Sequence, residues 1–109
     1  MTEISIDGWS ANEQAIAREA FARAYTRAID TLTEELRRRA AALTTADSIW
    51  SLHDYLSIER HTIEGRFDFR FDGLLFVFAS LVKDQLLVMD ELAGLEADKL
   101  AKIAAMSRF

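Results

Sequence analysis

Two histidines, His53 and His61, lie in one stretch from Ile49 to Arg70 together with Trp50, Asp54, Ser57 and Arg60. At about 100° per residue on an α-helix, these six side chains fall within an arc of roughly 120°. A histidine beside an aspartate is the raw material for a general base with an orienting carboxylate, or for two metal ligands. The spacing argues against both. Neighbours on a helix diverge by about 100°, so His53 and Asp54 do not converge on one ion. A bundle-type metal centre built on Glu-x-x-His has Trp50 and Ile58 where its glutamates should stand. There is no Gly-rich phosphate loop, no Gly-x-Ser-x-Gly elbow and no cysteine. The reading is a non-enzymatic protein with no catalytic residue, no metal site and no cofactor. What the stretch does offer is an aromatic ring and an arginine on one face, the residue types that dominate interface hot spots.

The plainer readings of the same residues are structural. From residue type alone Trp50 leans towards the core, and His53 towards a hydrogen-bonded structural histidine. Asp54 and Arg60 are six positions apart, so they do not pair along one helix. A link between them fits better across to another helix, of this chain or a second copy. We expect Asp54 and Arg60 to be structural across such an interface and Trp50 to be partly exposed. Phe67, Phe69 and Phe71 read as core. Lys99, Lys102 and Arg108 read as a solvated face near a helix C-terminus.

The elements that must carry these groups are helical. The chain has 109 residues, no proline and a formal net charge of −5. That is one domain's length, and the acidic balance disfavours nucleic acid. No apolar run is long enough for a membrane-spanning segment, and the reading is cytoplasmic. Residues 1–9 read as a loose arm. Ser10 to Glu13 is a capping box, and apolar steps of three and four continue unbroken to Leu43. A rod over Ala11–Leu43 is about 50 Å long, whereas a compact domain of this size has a radius of gyration of about 13 Å. The rod therefore outruns its own fold and favours a homo-oligomer over a hairpin broken near Thr31–Thr33. Leu32, Leu36 and Leu43, with Ile49, Leu52 and Leu56 of the next helix, form the expected dimer seam. Thr44 to Asp47 supplies N-cap candidates for a second helix from about Asp47 to Glu64, closed by Gly65 as a left-handed cap. The run Phe67 to Phe71, then Asp72-Gly73, alternates like a β-hairpin. The helical period through Phe78, Leu81, Val82, Leu86 and Met89 is preferred, predicting a third helix from Asp68 or Arg70 to Val88. Gly94 breaks the chain, and a last helix opens at Leu95. The fold class is all-α: a dimerising stalk over about 10–64 and a compact helical head over about 67–109.

At the residues already quoted the sequence resembles a known family. Trp50-x-Leu52-His53-Asp54-Tyr55-Leu56-Ser57-x-x-Arg60-His61-x-Ile63-Glu64-Gly65-Arg66-Phe67-Asp68-Phe69-Arg70 is similar to the signature of the fluorescence recovery protein family of cyanobacteria. The likeness extends to Trp9-Ser10-x-x-Glu13, to Leu75–Ala79, and to Leu92 through Ile103. Phenylalanines at 67, 69 and 71 replace the tyrosines usual there, and Asp72-Gly73 departs from the usual pattern. The resemblance implies a homodimer that binds the photoactivated orange carotenoid protein. It would speed that protein's return from the red to the orange form and detach it from phycobilisomes at the thylakoid surface. It places a functional cluster on Trp50, His53, Asp54 and Arg60, and a head contact region on Phe76, Lys102 and Met106. The alternative is a helical homodimeric adaptor of the same fold for a different signalling client.

Overall fold

The computed structural model describes residues 8–109, so the first seven residues of the expected arm lie outside it. Four α-helices follow one another: α1 over Ala11–Ala41, α2 over Ala46–Arg66, α3 over Leu74–Lys83 and α4 over Ala97–Met106. A short 3-10 turn, Met89–Leu92, precedes α4. The described residues form no β-strand, in keeping with the all-α expectation.

The α1 rod forms as its sequence dictates. Ser10 Oγ accepts from the Glu13 N–H at 3.1 Å, and the Glu13 carboxylate accepts from the Ser10 N–H at 3.1 Å. Nothing breaks the helix at Thr31–Thr33; the Thr33 hydroxyl bonds back to the Ile29 carbonyl within the helix. Thr45 caps α2 through a second capping box with Ser48. The helices run antiparallel. The Arg39 guanidinium lies 3.8 Å from the Tyr55 ring centroid, and further along Tyr25 meets Phe67 edge-on at 5.1 Å. The molecule spans 61 × 29 × 19 Å with a radius of gyration of 17.3 Å, well above the compact value.

The core sits at one end. Ala17, Ala20 and Ala24 of α1 are almost fully buried in one cluster with Leu74, Phe78, Leu81, Leu87, Leu92, Leu95 and Ile103. Alanines on α1 let the helices of the head approach closely. Each large apolar side chain buried there contributes roughly 1.5–3 kcal/mol. The first half of α1 is thus the floor of the head, and its second half pairs with α2. No residue of α2 is buried, and none of α1 beyond Ala24.

Several expectations are corrected. Trp9 is not in a loose arm: it is 2% exposed and packs on Phe71 at 5.5 Å. Gly65 lies inside α2, which closes at Phe67 with φ −90° instead of a left-handed glycine. The predicted third helix is ten residues long, not twenty. Its expected first residues, 68–73, are non-helical, because alternation wins there. Phe67, Phe69 and Phe71 turn towards α1, while Asp68 and Arg70 face solvent and pair with each other at 3.0 Å. Successive rings meet at 5.0–5.5 Å from Trp9 through Phe71, Phe69, Phe21 and Phe67 to Tyr25. Edge-to-face pairs at this spacing add about 0.5–1.5 kcal/mol each beyond the area they cover. At its other end α3 stops at Lys83, and Gln85 takes φ 63°, turning the chain back. The last helix begins at Ala97, two residues later than predicted, after Gly94 at φ +105°. The left-handed φ favours glycine there, and an added Cβ would also stand 2.5 Å from Ile16 Cδ1, which would have to shift.

Candidate functional site

The α2 cluster is solvent-facing. Trp50 is 63% exposed, which overturns the core reading of that ring and agrees with a partly exposed one. His53 Nδ1 lies 3.3 Å from Asp54 Oδ1, with both side chains about three-quarters exposed. Arg60 does not reach Asp54; its Nε donates to Glu64 Oε1 at 2.6 Å one turn along the same helix. An exposed His–Asp contact in water has none of the enclosed, preorganised surroundings that acid–base catalysis draws on. Chemically this is a surface of donors, acceptors and one large ring, suited to contact. Beside it Ile49 and Leu56 are 48% and 41% exposed, and Ile58, named from the sequence only as an argument against a metal centre, is 64% exposed. Leu52 is half-buried in the cleft between α1 and α2 along with Leu43. Leu32 lines the same cleft nearer the head, and Leu36 is half-buried.

The head brings Phe76 and Met106 together. With Ala79, Ser80, Lys83 and Phe109 they line an open, largely apolar groove of about 370 Å³. Phe76 is 70% exposed. Lys102 is not in the groove lining; it is exposed on α4, with Nζ 3.5 Å from Asp98 Oδ2.

Three charged clasps tie the head to the long helices, and sequence reasoning missed all of them. Lys99, read as solvated, is buried. Its Nζ donates to Glu13 Oε1 and Oε2 at 3.0 and 3.1 Å and to the Gly8 carbonyl at 2.8 Å, and lies 5.0 Å from the Trp9 ring. Burial pushes the Glu13 carboxyl up. The N–H groups of Glu96 and Ser10 and the Lys99 ammonium outweigh that, and its pKa ends below the ordinary value. Second, Arg27 makes a two-pronged contact with Glu91 at 2.7 Å on each side and donates to the Leu86 carbonyl at 3.0 Å. Arg23 adds a contact to Glu91 at 3.3 Å. The hydrogen bonds from Arg27 lead the causes that hold the Glu91 carboxyl at about 2. Third, Arg66 at the end of α2 pairs with Asp84 beyond α3. The capping box announces Glu13 as a cap, but its other partner is 86 positions away and has no local signature.

Comparison with known proteins bears on this architecture. Residues 9–107 match the family model described as photoprotection regulator fluorescence recovery protein. The chain is 42% identical over 100 residues to the fluorescence recovery protein of Synechocystis sp., covering 92% of each. The structure of the Fremyella diplosiphon fluorescence recovery protein is 44% identical, superposes with a TM-score of 0.89, and matches over 93% of this chain and 99% of that one. The Synechocystis protein's R60K mutant structure, 40% identical with the same coverage, also superposes at 0.89. With its helix order, its aromatic-arginine α2 face and this likeness over nearly its whole length, the chain belongs to the photoprotection regulator fluorescence recovery protein family.

Proposed function

We propose that this chain binds the photoactivated, red form of the orange carotenoid protein, accelerates its return to the orange form and promotes its release from phycobilisomes. It does so without covalent catalysis and without a cofactor. It acts in the cytoplasm as a homodimer, reaching the thylakoid surface through phycobilisomes, and binds no nucleic acid. Residues 10–64 are its dimerising stalk, with a seam of Leu32, Leu36, Leu43, Ile49, Leu52 and Leu56. Residues 67–109 are its head, which shares the first half of α1. Trp50, His53, Asp54 and Arg60 on α2, and Phe76, Lys102 and Met106 on the head, are the surfaces that meet the client or build the dimer centre.

Beyond family membership, the observation that carries this reading is the open α2. A helix with no buried residue, with Trp50 and Ile58 mostly in solvent and Ile49 and Leu56 nearly half so, has its apolar faces uncovered within one chain. A second copy covers the leucine seam, and the client meets what remains. Acceleration then follows from differential binding. A partner that holds the returning arrangement more tightly than the red one lowers the barrier between them; equal affinity for all states accelerates nothing. The test is the dark recovery of photoconverted orange carotenoid protein, timed by absorbance with increasing amounts of this chain. We expect a saturable acceleration. An unchanged time course overturns the assignment and leaves the adaptor for another client.

A further inference from the structure

The Glu13–Lys99 pair has no part in either contact surface, yet it is the most deeply buried charge pair among the described residues, with side chains 4% and 11% exposed. The ammonium's hydrogen-bond acceptors, the Glu13 carboxylate and the Gly8 carbonyl, lie at or just before the start of α1, and the Glu96 carboxylate of its own helix cap stands 3.8 Å away. Glu13 in turn is held by the N–H groups of Ser10 and Glu96, one on each side of the junction between α1 and α4. The pair therefore pins the first turn of α4 to the start of α1, while Ile103 and Leu100 pack the rest of that helix on the core. Lys102 and Met106 follow Lys99 at three and seven positions on the same helix, which places them on the flank that Lys99 anchors. The floor beneath is α1 itself, which runs unbroken into the stalk.

We infer that Glu13 and Lys99 are positioning residues. They hold the head's contact surface at a fixed orientation to the α2 cluster, and so govern how fast a bound client is turned over rather than how tightly it is held. The functional half of this inference rests on the reading under Proposed function; the conformational half does not. Two contact surfaces on one rigid body can bring two parts of a client into register, whereas the same surfaces on a hinged body only tether it. The Arg27–Glu91 and Arg66–Asp84 clasps act in the same direction from the outer side.

The chain has no cysteine, so introduced pairs label uniquely. Spin labels at Ser57→Cys on α2 and Ala105→Cys on α4, diluted with unlabelled chain, report the head-to-stalk distance. We expect one narrow distribution, broadened at least twofold in width by Lys99→Met. A width unchanged by that substitution overturns the conformational half whatever the client proves to be. With photoactivated orange carotenoid protein, Lys99→Met should leave the dissociation constant within about twofold and lower the limiting recovery rate at least fivefold. Parallel loss of affinity and rate, or loss of neither, overturns the positioning role. Should Lys99→Met not fold, Arg27→Gln in the more exposed clasp decides through the same two readouts, with the same split expected at smaller size. Failure of the unsubstituted chain to accelerate recovery counts against the proposed function alone, since the label distances stand by themselves.

Discussion

At the scale of single residues, ionisation and backbone geometry make the sharpest statements. The Glu91 carboxyl titrates at about 2 in the folded chain against an ordinary value of 4.5. A depressed acid contributes stability above its unfolded pKa and loses it as pH falls towards the folded one. Unfolding free energy from urea titrations should therefore fall from about pH 5 to pH 2, with Glu13 adding to the slope. Glu91→Gln should flatten that fall and lower stability at neutral pH. At Gly94, alanine meets both a left-handed backbone and Ile16 Cδ1. Gly94→Ala is expected to cost about 2 kcal/mol, read as a lower urea midpoint with an unchanged slope. Among the described residues Arg60 pairs only along its own exposed helix turn, so its geometry matters little to the fold. Arg60→Lys should leave the melting temperature within a few degrees while weakening recovery or dimerisation, because lysine lacks the guanidinium fork. Unchanged dimer mass together with unchanged recovery rate would remove Arg60 from the functional cluster.

At the scale of elements, α1 and its alanine stripe decide how the head is built. Ala20 is 1% exposed where α1 passes under the core. Ala20→Leu forces three extra carbons into that contact and should cost about 1–3 kcal/mol. The same substitution at exposed Ala22 should be neutral; a common loss in calorimetric melts of both variants would count against the packing account. The two long helices were legible from sequence because the first opens on a capping box and keeps an unbroken period, and the second follows N-cap candidates at Thr44 to Asp47. The third was not. Its period of 3.6 is real only from Leu74 to Lys83, while the five residues from Phe67 carry a period of two, and three phenylalanines reaching Phe21, Tyr25 and Trp9 outweigh helical continuation. Gly65 misled for a related reason: nothing clashes with an added Cβ there, and the helix simply passes through it. Of the candidate site, spacing put Trp50, His53, Asp54 and Arg60 on one face of α2, while residue type alone drew Trp50 towards the core. Lys99 did not, because its role depends on a carboxylate at the far end of the chain.

At the scale of the whole molecule, exposure is the governing fact. One end carries every fully buried large side chain, and the other carries half-covered leucines and exposed isoleucines. Such a shape predicts association. Leu56→Lys should halve the mass measured by light scattering at micromolar concentration while keeping the helical circular dichroism signal, since Leu56 contributes nothing to the head. A variant of unchanged mass would place the seam elsewhere on the stalk.

The bond between residues 13 and 99 also orders events during synthesis. Both ends of this contact must leave the ribosome before it can form, so the alanine stripe stays uncovered until the last helix emerges. Loops of this span close slowly relative to local helices. The head is thus the last part of the molecule to close, and the long helices it rests on are formed before it.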